Sequence, residues 1–420
     1  MKRWILSVCL LCLCASPLSA CGQAGRPEAV TVIRYALWNQ NQLGFMQRLA
    51  QMFERRHPGL KIQLEVTPPS QYFTNLETGV IGGGAPDIFT MNEANFLKYA
   101  EHHILLPLNR FVGEAGPNLA DFMDVALSPF VIDGRLYALP KDAATVGLWY
   151  NKQLFRQAHL AFPDASWDWA RLREAARRLT DPRRGIYGIA APVADQTGFY
   201  NTILQSGGTI LSADRRSSGF ATASARAGLQ FWLDLLKDRS SPTLEQMSDT
   251  APLSLFEAGR LAMLYEGSWR AADFSANAYT RQHMDVTVLP HGKTRAVVVS
   301  ATAMAINAAT RYPQLAWEFI KFVDAQQAAQ ISRQTDLFLP VHKHLLTRWV
   351  KANQQFHLQA FVDELPNAAP YPFSRNTAAW LDLQNSILSN VWANRISLSV
   401  GTLQLAEQMN QILQEERQIS

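Results

Sequence analysis

Beyond residue 21 the chain has no cysteine: the four that occur are Cys9, Cys12, Cys14 and Cys21. The body of the protein therefore has no disulfide, no thiolate zinc site and no thiol nucleophile. Stability must come from burial, and 420 residues are enough for two domains with large interiors. Long apolar runs are also scarce. Trp4 to Ala15 falls well short of the roughly 20 residues that a spanning helix needs. Several catalytic signatures are missing. Gly82-Gly83-Gly84-Ala85-Pro86 lacks the Lys-Ser/Thr of a phosphate loop and reads as a turn. There is no Gly-x-Ser-x-Gly elbow and no His-Glu-x-x-His, and His102-His103 has no evident third ligand. The acids are scattered, without the facing pair that glycoside cleavage requires. No enzyme activity, metal or cofactor is expected. Charge of one sign is not in excess either. The net charge is +4, and Lys2 and Arg3 supply half of it. The densest basic cluster, Arg171 to Arg178, lies on a predicted helix as a solvated face, so no nucleic-acid partner is expected.

What is present begins with a leader. Met1-Lys2-Arg3, an apolar stretch and Leu18-Ser19-Ala20-Cys21 form a secretion signal. Its ending resembles the lipobox of bacterial lipoproteins, in which the cysteine thiol is acylated and becomes the new N-terminus. The resemblance implies a signal peptide over 1–20, lipidation of Cys21, and a flexible tether over 21–29 that holds the protein outside the cytoplasmic membrane.

The body alternates between strand and helix patterns. Strands are predicted at Thr31–Leu37, Lys61–Val66, Asp87–Phe89, Val146–Tyr150, Leu261–Tyr265, Asp285–Leu289 and Val297–Ile306. Helices are predicted at Leu43–His57, Gln71–Ile81, Trp167–Thr180 with Ser166 as N-cap, Ser224–Lys237, Pro313–Gln330, Thr377–Ala393 and Ser399–Glu416. Such alternation predicts an α/β fold with mainly parallel sheets covered by helices.

The order of short segments resembles the extracellular solute-binding proteins of ABC importers, in the maltose-binding-protein-like group known as family 1. The segments are Phe53 to Ile62, Gly84-Ala85-Pro86-Asp87-Ile88, Leu105 to Leu108, Asp133 to Pro140 followed by Leu148-Trp149-Tyr150-Asn151-Lys152, Phe256 to Met263 followed by Gly267-Ser268-Trp269, and Ala316 to Phe322. The resemblance covers nearly the whole body. It implies the type II periplasmic-binding-protein-like fold: two discontinuous lobes joined by hinge strands, 30–141 with 295–340 and 142–294 with 341–420. The chain would cross near Lys141–Ala144, Pro290–Ala296 and Pro340–His342. The resemblance further implies a monomer that closes over a sugar or oligosaccharide and delivers it to membrane permease subunits, with the ATPase on the far side of the membrane.

A sugar offers hydroxyls around its rim and apolar faces above and below, so its site needs aromatic platforms and a few convergent polar groups. In α/β sheets that site lies outside the carboxyl ends of strands. Trp38 and Asn39 follow the first strand, Asn92 and Glu93 follow the Asp87 strand, and Asp142 lies at the first crossing. The resemblance adds Tyr200, Trp380 and Trp269, the last as the principal stacking ring; Glu266, just before it, is a candidate hydroxyl acceptor, and Ser300 and Thr302 offer small hydroxyls on the returning strand. Ala144 and Met91 depart from the maltose-specific pattern, so the resemblance supports the class and not maltose. The alternative ligand is glycerol 3-phosphate or another polar solute, with Lys141 and Arg375 as the obvious basic candidates for holding a phosphate; an exported carbohydrate-active enzyme is the more remote alternative.

Overall fold

The computed structural model describes residues 30–113, 116–330 and 338–418, without the side chains of 327–330. The expected leader, the Cys21 lipidation site and the tether lie outside these residues. Among the described residues, no helix is long and apolar enough to cross a membrane.

The first sheet opens with β1 (Thr31–Leu37), α1 (Leu43–Glu54), β2 (Leu60–Val66), α2 (Pro69–Ile81), β3 (Ile88–Asn92) and α3 (Glu93–Glu101). Helix α1 buries Phe45, Met46, Leu49, Ala50 and Phe53, the face set by helical spacing. It stops before Gly59, which takes the left-handed conformation (φ 81°). β1 pairs in parallel with β2 and with β3. Two later strands complete this half: β4 (Ala138–Ala144) and the long β9 (Val297–Ile306), which runs antiparallel to both β3 and β4. With β10 (Ala368–Pro370) alongside β9, this sheet has six described strands.

The second sheet has four described strands: β5 (Val146–Asn151), β6 (Tyr187–Ile189), β7 (Leu261–Gly267) and β8 (Met284–Thr287), in the order β8-β5-β7-β6. It is covered by α4 (Trp169–Leu179), α5 (Tyr200–Gln205), α6 (Ala223–Lys237), and the closing helices α8 (Thr377–Trp392) and α9 (Leu398–Gln418), while α7 (Pro313–Gln330) packs on α1 and β9 of the first. Helix α4 starts two residues later than predicted. Asp168, not Ser166, caps it by accepting from the Arg171 N–H at 2.8 Å. The reason is tertiary: Trp167 and Trp169 exchange backbone hydrogen bonds with His291, which keeps 167–169 extended.

The lobes are joined tightly. β4 leads into β5 through Thr145 alone, which is fully buried. The second crossing, from β8 to β9, is held by side chains acting as backbone acceptors. Glu364 accepts from the Leu289 N–H, Asn201 from Val298 and Glu93 from Ala301. Glu93 and Glu364 are almost inaccessible to solvent. Burial raises the Glu93 carboxyl to about 8, against the opposing backbone hydrogen bonds. Burial likewise raises Glu364, to about 7.

Two outcomes are expected, one from the packing of β6 on α4 and one from the Glu93 joint. Gly188 of β6 lies so close to α4 that an added Cβ would sit 2.0 Å from the Ala176 carbonyl oxygen. Gly188→Ala should lower stability by about 1–3 kcal/mol in urea denaturation, the range for overpacking, whereas Gly84→Ala, which meets nothing, should change it by less than about 0.5 kcal/mol. The second concerns Glu93. Its folded pKa lies above the unfolded value, so the folded state holds the extra proton between the two. That contribution is complete below pH 4.5 and is lost as pH rises to about 8. Urea midpoints across that window should show the wild type losing stability relative to Glu93→Gln, which still offers an oxygen to Ala301. Parallel profiles for the two proteins would contradict it.

Candidate functional site

The ends of the strands converge where the two sheets meet. β1 delivers Trp38 and Asn39, and Asn39 caps the following turn by accepting from the Asn41 N–H at 2.9 Å. The start of β9 lies opposite the ends of β3 and β4, with Thr302 facing both Asn92 and Asp142, and Ser300 facing Ala144. From the second sheet, β7 ends at Gly267 beside Val146 and turns into Ser268-Trp269-Arg270. The cavity between has a volume of about 520 Å³. Trp38 lines it from one lobe and Trp269 from the other, with Asp142, Ser300, Arg270 and Asp273 among the polar groups.

The floor is a buried polar cluster. β4 carries a bulge opposite Thr302 and Ala303, which takes Lys141 out of the pairing register. The Lys141 ammonium then bonds the Asp142 carboxylate and, at 2.8 Å, the Gln42 Oε1. Asp142 Oδ2 also accepts from Gln42 Nε2 at 2.7 Å, and Oδ1 accepts from the Thr302 hydroxyl. Lys141, Asp142 and Gln42 are all buried, so charge and amide are satisfied by one another.

Both indoles are positioned by their surroundings. Trp38 is half-buried and packs edge-on against Tyr72 (5.0 Å between centroids) and tilted against Phe73 (5.8 Å). The Tyr72 hydroxyl donates to the Ala36 and Thr90 carbonyls, tying α2 to the strands beneath. Trp269 is half-buried and folds back over the Gly267 backbone, where a Cβ would meet Cζ3 at 2.0 Å. Glu266 accepts from the Gly267 N–H at 2.9 Å, and burial raises its carboxyl above the usual range. It stands behind the turn, 3.8 Å from Arg270 Nε. Arg270 Nη1 bonds Asp273 at 3.0 Å, and Asp273 accepts from the Asn41 amide across the cleft at 3.2 Å.

A second cavity of about 440 Å³ shares Trp38, Pro69, Gln196, Ser300 and Thr302 with the first. Asn92 and Glu93 line this one, not the Trp269 chamber. Asn92 also caps α3 by accepting from the Asn95 N–H at 3.2 Å. The Gln196 amide donates to the Ser300 hydroxyl at 2.9 Å between the chambers.

Tyr200 and Trp380 are elsewhere. Both are fully buried in the core of the second lobe. Tyr200 donates to Gln384 at 2.8 Å, and Trp380 donates to the Ser374 hydroxyl at 2.9 Å. Neither has an open face on which a ring could stack, because α5 and α8 turn these positions inward. Arg375 is also engaged, with Glu101 of α3 and with Glu416. The sequence reading missed Gln42, Arg270, Asp273, Gln196 and Phe338 as lining groups. Arg270 and Asp273 carried a usable signal, since they follow Trp269 on the same turn three residues apart. Gln196 carried none, lying in a π-turn with irregular backbone at Thr197 and Gly198.

Known proteins share this fold. A family model described as bacterial extracellular solute-binding protein matches residues 38–330. The galactooligosaccharide-binding protein of Bacillus subtilis is 22% identical over 81% of this chain and 81% of its own length. The mannitol-binding protein of Pseudomonas aeruginosa is 28% identical over 63% of this chain and 59% of its own. The ABC substrate-binding protein of Listeria monocytogenes, solved in complex with cycloalternan, matches with a TM-score of 0.84 at 24% identity, covering 91% of this chain and 99% of that one. The fold is thus the two-lobed type II periplasmic-binding-protein architecture. With a family match spanning most of its length, the chain belongs to the bacterial extracellular solute-binding proteins.

Proposed function

We propose that the protein captures a sugar or oligosaccharide between its lobes, closes over it by hinge motion, and delivers it to the permease subunits of an ABC importer. The observation that carries this reading is the pair of half-buried indoles, Trp38 and Trp269, one on each lobe and both on one cavity with carboxylate, hydroxyl and guanidinium groups. Indole faces suit the apolar faces of a sugar ring, and the polar groups suit its hydroxyls. The adjoining chamber, which shares Trp38 and Ser300, favours a ligand of more than one ring. Relatives described as galactooligosaccharide- and mannitol-binding proteins agree with the class.

The chemistry of the cavity supports binding without turnover. Asp142 already accepts from three donors, and Asp273 from two, so neither is poised as a free acid or nucleophile. Phosphate binding is less well served: Lys141 is committed to Asp142 and Gln42, and Arg375 to Glu101 and Glu416. In this reading the mature chain is a monomer anchored through lipid on Cys21, outside the cytoplasmic membrane.

Closure follows from contacts that exist only when both lobes touch the ligand. A thermal-shift screen of oligosaccharides, polyols and glycerol 3-phosphate should find a sugar that raises the melting temperature, with micromolar affinity, about −8 kcal/mol. Trp269→Ala should weaken that sugar about thirtyfold or more, the roughly 2 kcal/mol of a central aromatic contact. Gly267→Ala should weaken it in the same direction by displacing the indole. Trp380→Phe should leave affinity unchanged. A panel with no stabilising sugar, or release of shorter products from an oligosaccharide, would refute the reading.

A further inference from the structure

Away from the cleft, the segment Pro340-Val341-His342-Lys343-His344 runs beside a turn at 119–124 and helix α7. His342 packs tilted against Phe122, 4.2 Å between ring centroids, and its backbone neighbours pair with the same turn. Its Nε2 lies 2.8 Å from Asp324 Oδ1. Its Nδ1 lies 3.0 Å from Asp121 Oδ2, and the Nδ1 of His344 contacts that same oxygen. One donor atom from each of Asp121, His342 and His344 falls within 4.8 Å of the others.

A carboxylate only accepts, so the bond to Asp324 places a proton on His342 Nε2. Without a bound ion the ring meets both carboxylates when Nδ1 also carries a proton and donates to Asp121; a metal ion at Nδ1 would take that proton's place. His344 brings a second ring nitrogen to the same oxygen. Three potential ligand atoms thus converge on one point, where a divalent cation can replace the imidazole protons that otherwise join them. Two imidazoles and a carboxylate are borderline-soft ligands of the kind that zinc prefers, at about 2.0–2.2 Å. Asp324 stands where an outer carboxylate orients a metal-bound histidine. His342 is nearly buried and Asp121 partly so, while His344 is 59% exposed, which leaves a solvent side for a water ligand. Lys343, between the two histidines, turns its ammonium to the Ala120 carbonyl at 3.1 Å and to Asp124 at 3.5 Å.

We propose that Asp121, His342 and His344 form a zinc-class divalent-cation site, with Asp324 as the residue that positions His342. The sequence reading expected no metal. The site would fasten the strap that begins at Phe338, a cleft-lining residue, and pairs through Leu339 with Ala143 beside the cleft floor.

The test is zinc titration, by calorimetry and thermal melting, of the full chain without an affinity tag, after chelator treatment. One zinc per chain should bind and raise the melting temperature. His344→Ala and His344→Gln should weaken binding at least about tenfold, with melting of the metal-free protein unchanged, because the side chain is exposed. Asp324→Asn should weaken it by about 10–100-fold. Trp269→Ala should bind zinc like wild type, which separates this site from the sugar reading. Absence of saturable one-to-one binding overturns the proposal. So does wild-type affinity in both His344 variants, or loss of binding on replacing His102 and His103 instead.

Discussion

The cleft depends on keeping one carboxylate, Asp142, satisfied almost out of water. A buried charge without partners costs several kcal/mol, so each of its acceptor sites is a constraint on the chain around it. Lys141 meets one from the bulge of its own strand, Gln42 another from the turn after β1, and Thr302 a third from β9. These donors come from three separate stretches of sequence. Their meeting fixes the turn that carries Trp38, the crossing into the second lobe, and the strand that carries Ser300. Without the bulge, Lys141 would stay in the pairing register and the cluster would lose its central cation. The irregularity in β4 is thus part of how the floor is built, and removing a single partner would strand a charge beneath the ligand.

Above that floor the two lobes solve the same problem in similar ways. Each places an indole just past the end of a central strand, Trp38 after β1 and Trp269 after β7. Positions beyond strand ends are open because the helices that cover the sheet faces leave the carboxyl edge bare. The supports differ. Trp38 leans on other aromatics, Tyr72 and Phe73 of helix α2. Trp269 leans on the absence of a side chain at Gly267. The first is held by packing and the second by a close backbone approach, so the second tolerates less change in its immediate sequence.

The regular elements were legible because burial imposes a period. Thr31–Leu37, Val297–Ile306 and Pro313–Gln330 have the bounds that alternation and helical spacing predict. β4 was not legible as a strand, since Pro140, Lys141 and Asp142 look like a turn until β9 is known to lie alongside. The start of α4 was misplaced because pairing with His291, far along the chain, overrides the nearer Ser166 cap. The site was legible in kind rather than in position. Trp38, Asn39, Asp142, Trp269 and Ser300 gather at one cavity, while Asn92 and Glu93 reach a second one. Tyr200 and Trp380 had the right chemistry on the wrong side of their helices. Residue type tells what a side chain could do; only the packing of α5 and α8 tells which way it points. The cluster of Asp121 with His342 and His344 was hidden for a related reason, because over two hundred residues separate its halves.

The contacts that now bridge the lobes limit how closure can work. The Asn41 amide reaches Asp273, Gln196 reaches Ser300, and Arg375 reaches Glu101. Hydrogen bonds of this kind contribute about 0.5–1.5 kcal/mol each, and partly exposed ion pairs no more. The crossing strands, by contrast, are fastened at both ends by buried acceptors, Glu364 at Leu289 and Glu93 at Ala301. The polar contacts across the cleft are therefore weak beside those that fasten the joints. Polar contacts of this strength would not by themselves hold the cleft shut. In the proposed reading, a sugar that touches both Trp38 and Trp269 adds the favourable contacts that closure needs, and that makes closure a report on the ligand.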